Sequence, residues 1–371
     1  MIRRSPGFVA GIAVACAALA FAVAGCGSDN NDNTSSSGGS STTASKAGKV
    51  AVLLPDTKSS VRWETQDRKY LDQAFTAAGV DHTIVNAQGD PATQASQADQ
   101  AITNGAKVIL LVDLDPGSGA AIIKKAHNQG VKVIDYDRLT LGGGADYYVS
   151  FNNETVGKLQ GQGLVKCLQG KSNPVVAELN GSPTDNNATL FANGYNSVLD
   201  PLYKAGKLAK GPNQSVPEWD NQKALTIFEQ MLQQTNNKID GVLSANDGLA
   251  NSVISALNAR KLGKKPVTGQ DATAEGIQHI LAGEQCMTVY KPIQKEAAAA
   301  AKIAIALAKG QTPTANDKSA NKGKTTPSVL LTPIAVTKAN IKDTVIKDGF
   351  LKPSDICQGK YAQYCSSAGI Q

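Results

Sequence analysis

The sequence predicts an α/β protein of two parallel sheets, each flanked by helices. Three observations carry this. Short apolar runs alternate with longer helix-forming segments from Lys49 to Lys309. The runs are continuous rather than alternating, which marks strands buried on both faces. About 300 residues of such β-α repeats exceed one hydrophobic core, so two lobes are expected.

The elements follow in order. Val50-Ala51-Val52-Leu53-Leu54 is the first strand. A helix over Arg62–Ala78 carries Leu71, Ala74, Phe75 and Ala78 on one side and stops at Gly79. Thr83–Val85 is a strand, and Asp90-Pro91 opens a helix with proline in its first turn, ending near Gly105. The strand Lys107–Val112, a helix to Gly130 and the strand Val131–Tyr136 come next. Beyond Asn152 the alternation resumes: helix Val156–Leu168, strand Val175–Leu179, helices Ala188–Leu202 and Gln222–Gln234, strand Gly241–Ser244 and helix Leu249–Arg260. The strand Pro266–Gly269, helix Ala274–Ala282, strand Met287–Tyr290 and alanine-rich helix Gln294–Lys309 complete the pattern.

Ahead of this body lies an address. Met1-Ile2-Arg3-Arg4 precedes an apolar stretch from Phe8 to Gly25, the layout of a secretory signal over residues 1–25. Val23-Ala24-Gly25-Cys26 resembles the bacterial lipobox, so Cys26 is the expected lipidation site. The alternative is a single membrane-spanning helix, but the small-residue site ending in cysteine favours cleavage. Residues 26–48 are rich in Ser, Asn, Asp and Gly and form a disordered tether. A lipid anchor and tether place the body at the outer face of a cell membrane, in a periplasm or on the cell surface.

Composition narrows the function. The 371 residues hold 37 basic and 31 acidic side chains, a formal charge of +6, with no clustered basic patch to bind nucleic acid. Three histidines (His82, His127, His279) and no Cys-x-x-Cys pair argue against a metal site, and no cofactor is called for. Gly142-Gly143-Gly144 lacks a phosphate-binding fingerprint and reads as a turn. In an exported body Cys167, Cys286, Cys357 and Cys365 are expected to form disulfides. A local Cys357–Cys365 bridge, leaving Cys167 with Cys286, is the first of three possible pairings.

Ligands of open parallel sheets bind beyond the carboxyl ends of the strands. Those ends read Asp56 then Arg62-Trp63, Asp137-Arg138, Asn180 through Asn187, Asn246-Asp247, Gln270-Asp271 and Lys291. A carboxylate accepts from a hydroxyl while guanidinium or ammonium donates to the same oxygen, which suits vicinal hydroxyls. Trp63 and Trp219, the two tryptophans, offer flat faces for the C–H patches of a pyranose. Taken singly, each polar residue is more often a helix cap or loop residue, and Trp219 more often a packing residue.

At these residues the chain resembles the D-xylose-binding proteins of bacterial ABC sugar importers, within the type I sugar-binding group. The matching segments are Arg62-Trp63 with Asp67-Arg68, Tyr136-Asp137-Arg138, Ser150–Glu154, Gly181–Ala188, Asn236–Asp240, Asn246-Asp247, Gly269–Ala272, Met287–Pro292, Leu330–Ile334 and Asn340–Phe350. They span about residues 49–351. The resemblance implies a two-lobed periplasmic-binding-protein-like fold with three hinge crossings. Residues 49–150 with about 292–330 would form one lobe, 151–291 with about 333–351 the other, and 352–371 a tail. It implies that Arg62, Asp137 and Arg138 meet the sugar from the first lobe. Asp185, Asn187, Asn246 and Asp271 would meet it from the second, with Lys291 near a hinge and Trp63 and Trp219 sandwiching the ring. Asn152 departs from the pattern, where aspartate is expected, and the tail lies beyond it.

The expected function is therefore a monomeric, non-catalytic receptor that closes on a monosaccharide, most readily D-xylose, and hands it to an ABC permease. Glucose, galactose or arabinose is the alternative ligand, and a chemosensory role the alternative use. An exported glycosidase would need an acid and a base or nucleophile flanking one bond. A transcription regulator would need an N-terminal helix-turn-helix, where this chain has its leader. Trp219→Ala is expected to weaken binding while leaving unfolding of the ligand-free form nearly unchanged.

Overall fold

A computed structural model describes residues 47–370. The predicted leader, Cys26 and the tether up to residue 46 lie outside the described residues. Among the described residues no helix is long and apolar enough to cross a membrane.

Among the described residues the first sheet has seven strands. In chain order they are β1 (Lys49–Leu54), β2 (His82–Asn86), β3 (Ala106–Leu111), β4 (Lys132–Tyr136) and β5 (Tyr147–Phe151), joined later by β10 (Asp317–Asn321) and β11 (Lys324–Leu331). Their order is β10-β11-β5-β4-β3-β1-β2, all pairs parallel except the β10–β11 hairpin. Helices α1 (Arg68–Ala77), α2 (Pro91–Thr103) and α3 (Pro116–Asn128) connect the early strands. The second sheet is β7-β6-β8, with β6 (Val175–Asn180), β7 (Ala209–Ser215) and β8 (Gly241–Ser244) parallel. Single bridges, Val242 to Val267 and Thr268 to Met287, link it to the antiparallel pair β9 (Thr288–Tyr290) and β12 (Ile334–Val336). Helices α4 (Asn153–Cys167), α5 (Asn186–Lys204), α6 (Asn221–Gln234), α7 (Asp247–Ala259) and α8 (Ala274–Ala282) belong to this half, and α9 (Ile293–Ala308) packs back on the first sheet.

The chain therefore passes between the sheets three times: after β5, at Lys291-Pro292 and between β11 and β12. Leu54, Tyr136 and Ser244 end their strands, so the loops that follow open on the space between the sheets.

Several expectations need correction. The helix over Arg62–Ala78 begins with a π-helical turn, Trp63–Asp67, before α1. The strand Pro266–Gly269 reduces to bridging residues Val267 and Thr268. β7 has no strand signal, because Gly211 and Pro212 interrupt it, and an edge position is where a strand tolerates them. The β10–β11 hairpin turns at Lys322 (φ 44°) and Gly323 (φ 80°), the two positive φ values that a two-residue type I′ turn needs. The tail packs as α10 (Pro353–Ile356) and α11 (Ala362–Ser367), burying Ile356, Cys365 and Ile370 against Ile277, Ile280 and Leu281.

Both disulfides form in the first-named pairing: Cys357–Cys365 with Cα atoms 5.7 Å apart and Cys167–Cys286 at 6.4 Å. The latter ties the last turn of α4 to the segment entering β9.

Candidate ligand-binding site

All ten candidate residues line one cavity between the two sheets, with about 30 Å³ of free space inside it. None is more than 7% exposed. Four further lining residues lie outside the candidate set: Ser59, Ser60, Phe191 and Gln270. Gln270 precedes Asp271 at the same strand end, and Phe191 lies one helical turn beyond Asn187, so both were within reach of a face argument.

From the first half, Arg62 is gripped by carboxylates. It donates from Nε to Asp67 Oδ2 at 2.8 Å, from Nη2 to Asp67 Oδ1 at 2.7 Å and to Glu296 Oε2 at 2.6 Å, and from Nη1 to Asp137 Oδ1 at 2.7 Å. Its Cζ lies 4.5 Å from the Trp63 ring centroid, and that of Arg138 5.6 Å away, within cation–π range. Trp63 Nε1 donates to Ser59 Oγ at 2.9 Å, which also accepts from Arg138 Nη2 at 3.2 Å.

From the second half, Asp185 caps α5 by accepting from Asn187 N at 2.9 Å, while its other oxygen accepts from Trp219 Nε1 at 3.1 Å. Asn246 caps α7, accepting from Leu249 N at 2.9 Å. The capping readings of Asp185 and Asn246 thus hold together with a place in the cavity wall. Asn152, the departure from the family pattern, is an exposed cap that accepts from Thr155 N and lies outside the cavity.

The two halves meet across the cavity. Asn246 Nδ2 donates to the Ser59 carbonyl at 3.1 Å, Ser60 Oγ to Asp271 Oδ2 at 3.0 Å, and Asn187 Nδ2 to the Asp137 carbonyl at 3.0 Å. Lys291 Nζ sits 3.3 Å from Asp271 Oδ1 and 3.6 Å from Asp137 Oδ1. Arg138 Nε lies 3.1 Å from Asp185 Oδ2, outside hydrogen-bond geometry. Among the described residues, Arg138 Nε, Gln270 Oε1 and Asp271 Oδ1 are buried without a hydrogen-bond partner. The wall thus offers one donor and two acceptors without a hydrogen bond, groups that ligand hydroxyls can satisfy.

Three wall residues hold a left-handed backbone: Asp137 (φ 62°), Trp219 (φ 57°) and Asp271 (φ 94°). Such strain persists where surrounding contacts over-determine it, commonly at binding sites. Around Asp271 the restraint is visible. The buried Asp247 accepts from Thr273 N, Gln285 Nε2 and Thr288 Oγ1, each at 2.8 Å, pinning the loop to α7 and β9. For Trp219, the ring belongs to the core of the second half and fills the place where a side chain on Gly181 would be. The expectation that its truncation leaves unfolding unchanged is therefore corrected: the ring is 4% exposed and structural as well.

Charge is distributed unevenly. Burial alone would raise Asp137, but Arg62, Lys291 and Arg138 outweigh it and hold the carboxyl at about 2. Burial pushes Asp113, at the end of β3, up to about 7; Arg138 opposes the shift while Asp185 and Asp115 add to it. The folded state then holds the Asp113 proton more tightly than the unfolded chain. Stability from this group is full below about pH 4 and declines as pH rises through about 7. Asp113→Asn is expected to remove that decline. Its thermal midpoint relative to the parent should rise between pH 5 and pH 8, by up to roughly 3 kcal/mol of stability. Parallel midpoints across that range would show that Asp113 does not titrate there.

The periplasmic binding protein domain matches residues 50–312. The chain is 42% identical to the D-xylose-binding periplasmic protein of Escherichia coli (strain K12), over 80% of this chain and 88% of that one. It is 35% identical to the multiple sugar-binding periplasmic receptor ChvE of Rhizobium radiobacter, over 84% and 93%. Among solved structures, a carbohydrate transporter solute-binding protein from Chloroflexus aurantiacus in complex with D-glucose superimposes with a TM-score of 0.76 at 30% identity, covering 82% of this chain and 97% of that one. With the domain match spanning most of the described body and such relatives along nearly their whole length, the chain belongs to the periplasmic binding protein family, whose members bind their solutes and do not transform them.

Proposed function

We propose that this protein is the sugar receptor of an ABC importer, taking a monosaccharide, D-xylose in the first place, into the cavity between the sheets. One observation carries the reading: charged and amide groups from both halves converge on one cavity, with polar atoms at Arg138, Gln270 and Asp271 that make no hydrogen bond among the described residues and two tryptophans in the wall. Residues 49–150 with 292–330 and 151–291 with 333–351 act as lobes that close about the three crossings. Sugar contacts from both lobes favour closure, and the closed pair of lobes is the surface a permease reads. Export, anchoring through Cys26 and a monomeric state belong to the same reading.

The relatives' names support a sugar and leave its identity to experiment, since one binds D-xylose and another multiple sugars. A hexose adds one hydroxymethyl group, and a pocket discriminates such a difference by about 10–200-fold. Calorimetric titration of the purified full chain with D-xylose, D-glucose, D-galactose and L-arabinose is expected to give saturable one-to-one binding, tightest for D-xylose. A tighter hexose would replace the named sugar. No binding to any of the four would overturn the proposal.

A further inference from the structure

Arg62 has five N–H donors in a rigid plane. Four are spent: one from Nε and one from Nη2 on Asp67, one from Nη2 on Glu296 and one from Nη1 on Asp137. One Nη1 hydrogen remains, on a residue that lines the cavity. Asp67 is itself held, accepting from the Tyr136 hydroxyl at 2.6 Å. Glu296 is fully buried in the first turn of α9, takes no part in the cavity wall, and its Oε1 has no hydrogen-bond partner among the described residues. A buried carboxyl with an unused oxygen is a poor device for stability, because desolvation offsets the gain from pairing. Its geometry suggests another use.

We propose that Glu296 is a positioning residue that makes Arg62 a reader of a single ligand hydroxyl. Asp67 alone would fix one edge of the guanidinium and leave the outer Nη2 hydrogen open. Glu296 takes that hydrogen and closes the second direction. Arg62 can then satisfy one hydroxyl along one line. A sugar lacking that hydroxyl leaves a buried cation with an unmet donor, which costs more than a weak contact would gain. The placement is tied to the crossing: α9 starts directly after Lys291-Pro292, and Lys291 approaches the same Asp137 oxygen that Arg62 holds. The identity of the ligand rests on the proposed sugar-binding function; the immobilisation of Arg62 does not.

The test uses the purified full chain with Glu296→Leu, and with Glu296→Asp, which withdraws the carboxyl by one methylene, as the milder change should the leucine variant not fold. Without ligand, nitrogen NMR of arginine side chains is expected to resolve the two Nη positions of Arg62 in the parent. They should exchange faster in either variant, because only the Asp67 and Asp137 contacts remain, and return to the parent's pattern in Glu296→Gln, whose amide oxygen still accepts. With ligand, the penalty for the monodeoxy-xylose lacking the Arg62-facing hydroxyl is expected to fall about tenfold, while the penalties for the other monodeoxy sugars stay put. Unchanged Nη signals, or equal losses for every analogue, would overturn the proposal. If the parent binds no sugar, the functional reading fails, and the ligand-free NMR still decides the role of Glu296.

Discussion

Asp137→Asn is expected to abolish measurable sugar binding and to destabilise the ligand-free protein by roughly 3–5 kcal/mol, the usual effect of removing one partner from a buried ion cluster. The carboxylate is the common counter-charge for Arg62 at 2.7 Å and Lys291 at 3.6 Å, both buried. Without it two cations face each other across a closed space. Asparagine is the substitution of choice because it tolerates the φ of 62° and keeps an amide oxygen for Asn187. Any loss is then one of charge and of one acceptor, since a single amide oxygen cannot serve both Arg62 and Asn187, and not of backbone fit. The pH response adds a check. A carboxyl held at about 2, below its ordinary 3.8, contributes stability that is present above about pH 4 and lost as pH falls through about 2. The variant should show a shallower loss of thermal stability on the acid side than the parent. Wild-type affinity in the variant would remove Asp137 from the site; an unchanged acid limb would show that it is not held ionised.

Trp219→Ala is expected to act on stability and binding together. Truncating a buried aromatic costs about 3–5 kcal/mol, and Trp219 is packed near Phe191, with ring centroids 6.4 Å apart, and over Gly181. Affinity should fall on the order of 100-fold, as for a buried aromatic anchor. Trp219→Phe separates the two effects. It keeps most of the packing but loses the N–H that Asp185 accepts, in a carboxyl that burial already pushes upward. The phenylalanine variant should therefore melt near the parent yet bind more weakly. Thermal unfolding with and without sugar reads both quantities. A ligand-free alanine variant that melts like the parent would show the ring to be a ligand platform only.

Much of the site was legible because of how a parallel sheet is built. Strands that run the same way end on the same side, so a polar residue after each apolar run points to a common place. Arg62, Asp137, Asp185, Asn246, Asp271 and Lys291 were found this way, although they are spread over more than 200 positions of the chain. Phe191 was missed because it sits on a helix face, where an aromatic reads as core. Glu296 was missed for a stronger reason. In the first turn of an alanine-rich helix a glutamate reads as a solvated partner of the helix dipole, and only the packing of α9 against the turn that carries Arg62 buries it. The tail reads as a loose polar extension because its apolar residues are few and irregularly spaced. Its burial against α8 depends on a surface made elsewhere in the chain.

The sequence by itself determined the α/β alternation, the set of cysteines available for pairing, and the donors, acceptors and aromatic faces on offer. These follow from local periodicity and residue chemistry. Only the tertiary structure decided which hydrogen of Arg62 stays free, why Asp137 is ionised while Asp113 resists ionisation, and that Trp219 serves the core as well as the cavity wall. Each of these depends on burial and on distances of a few ångströms between groups from separate elements, and electrostatic and hydrogen-bond energies at that range are set by geometry that no local pattern encodes.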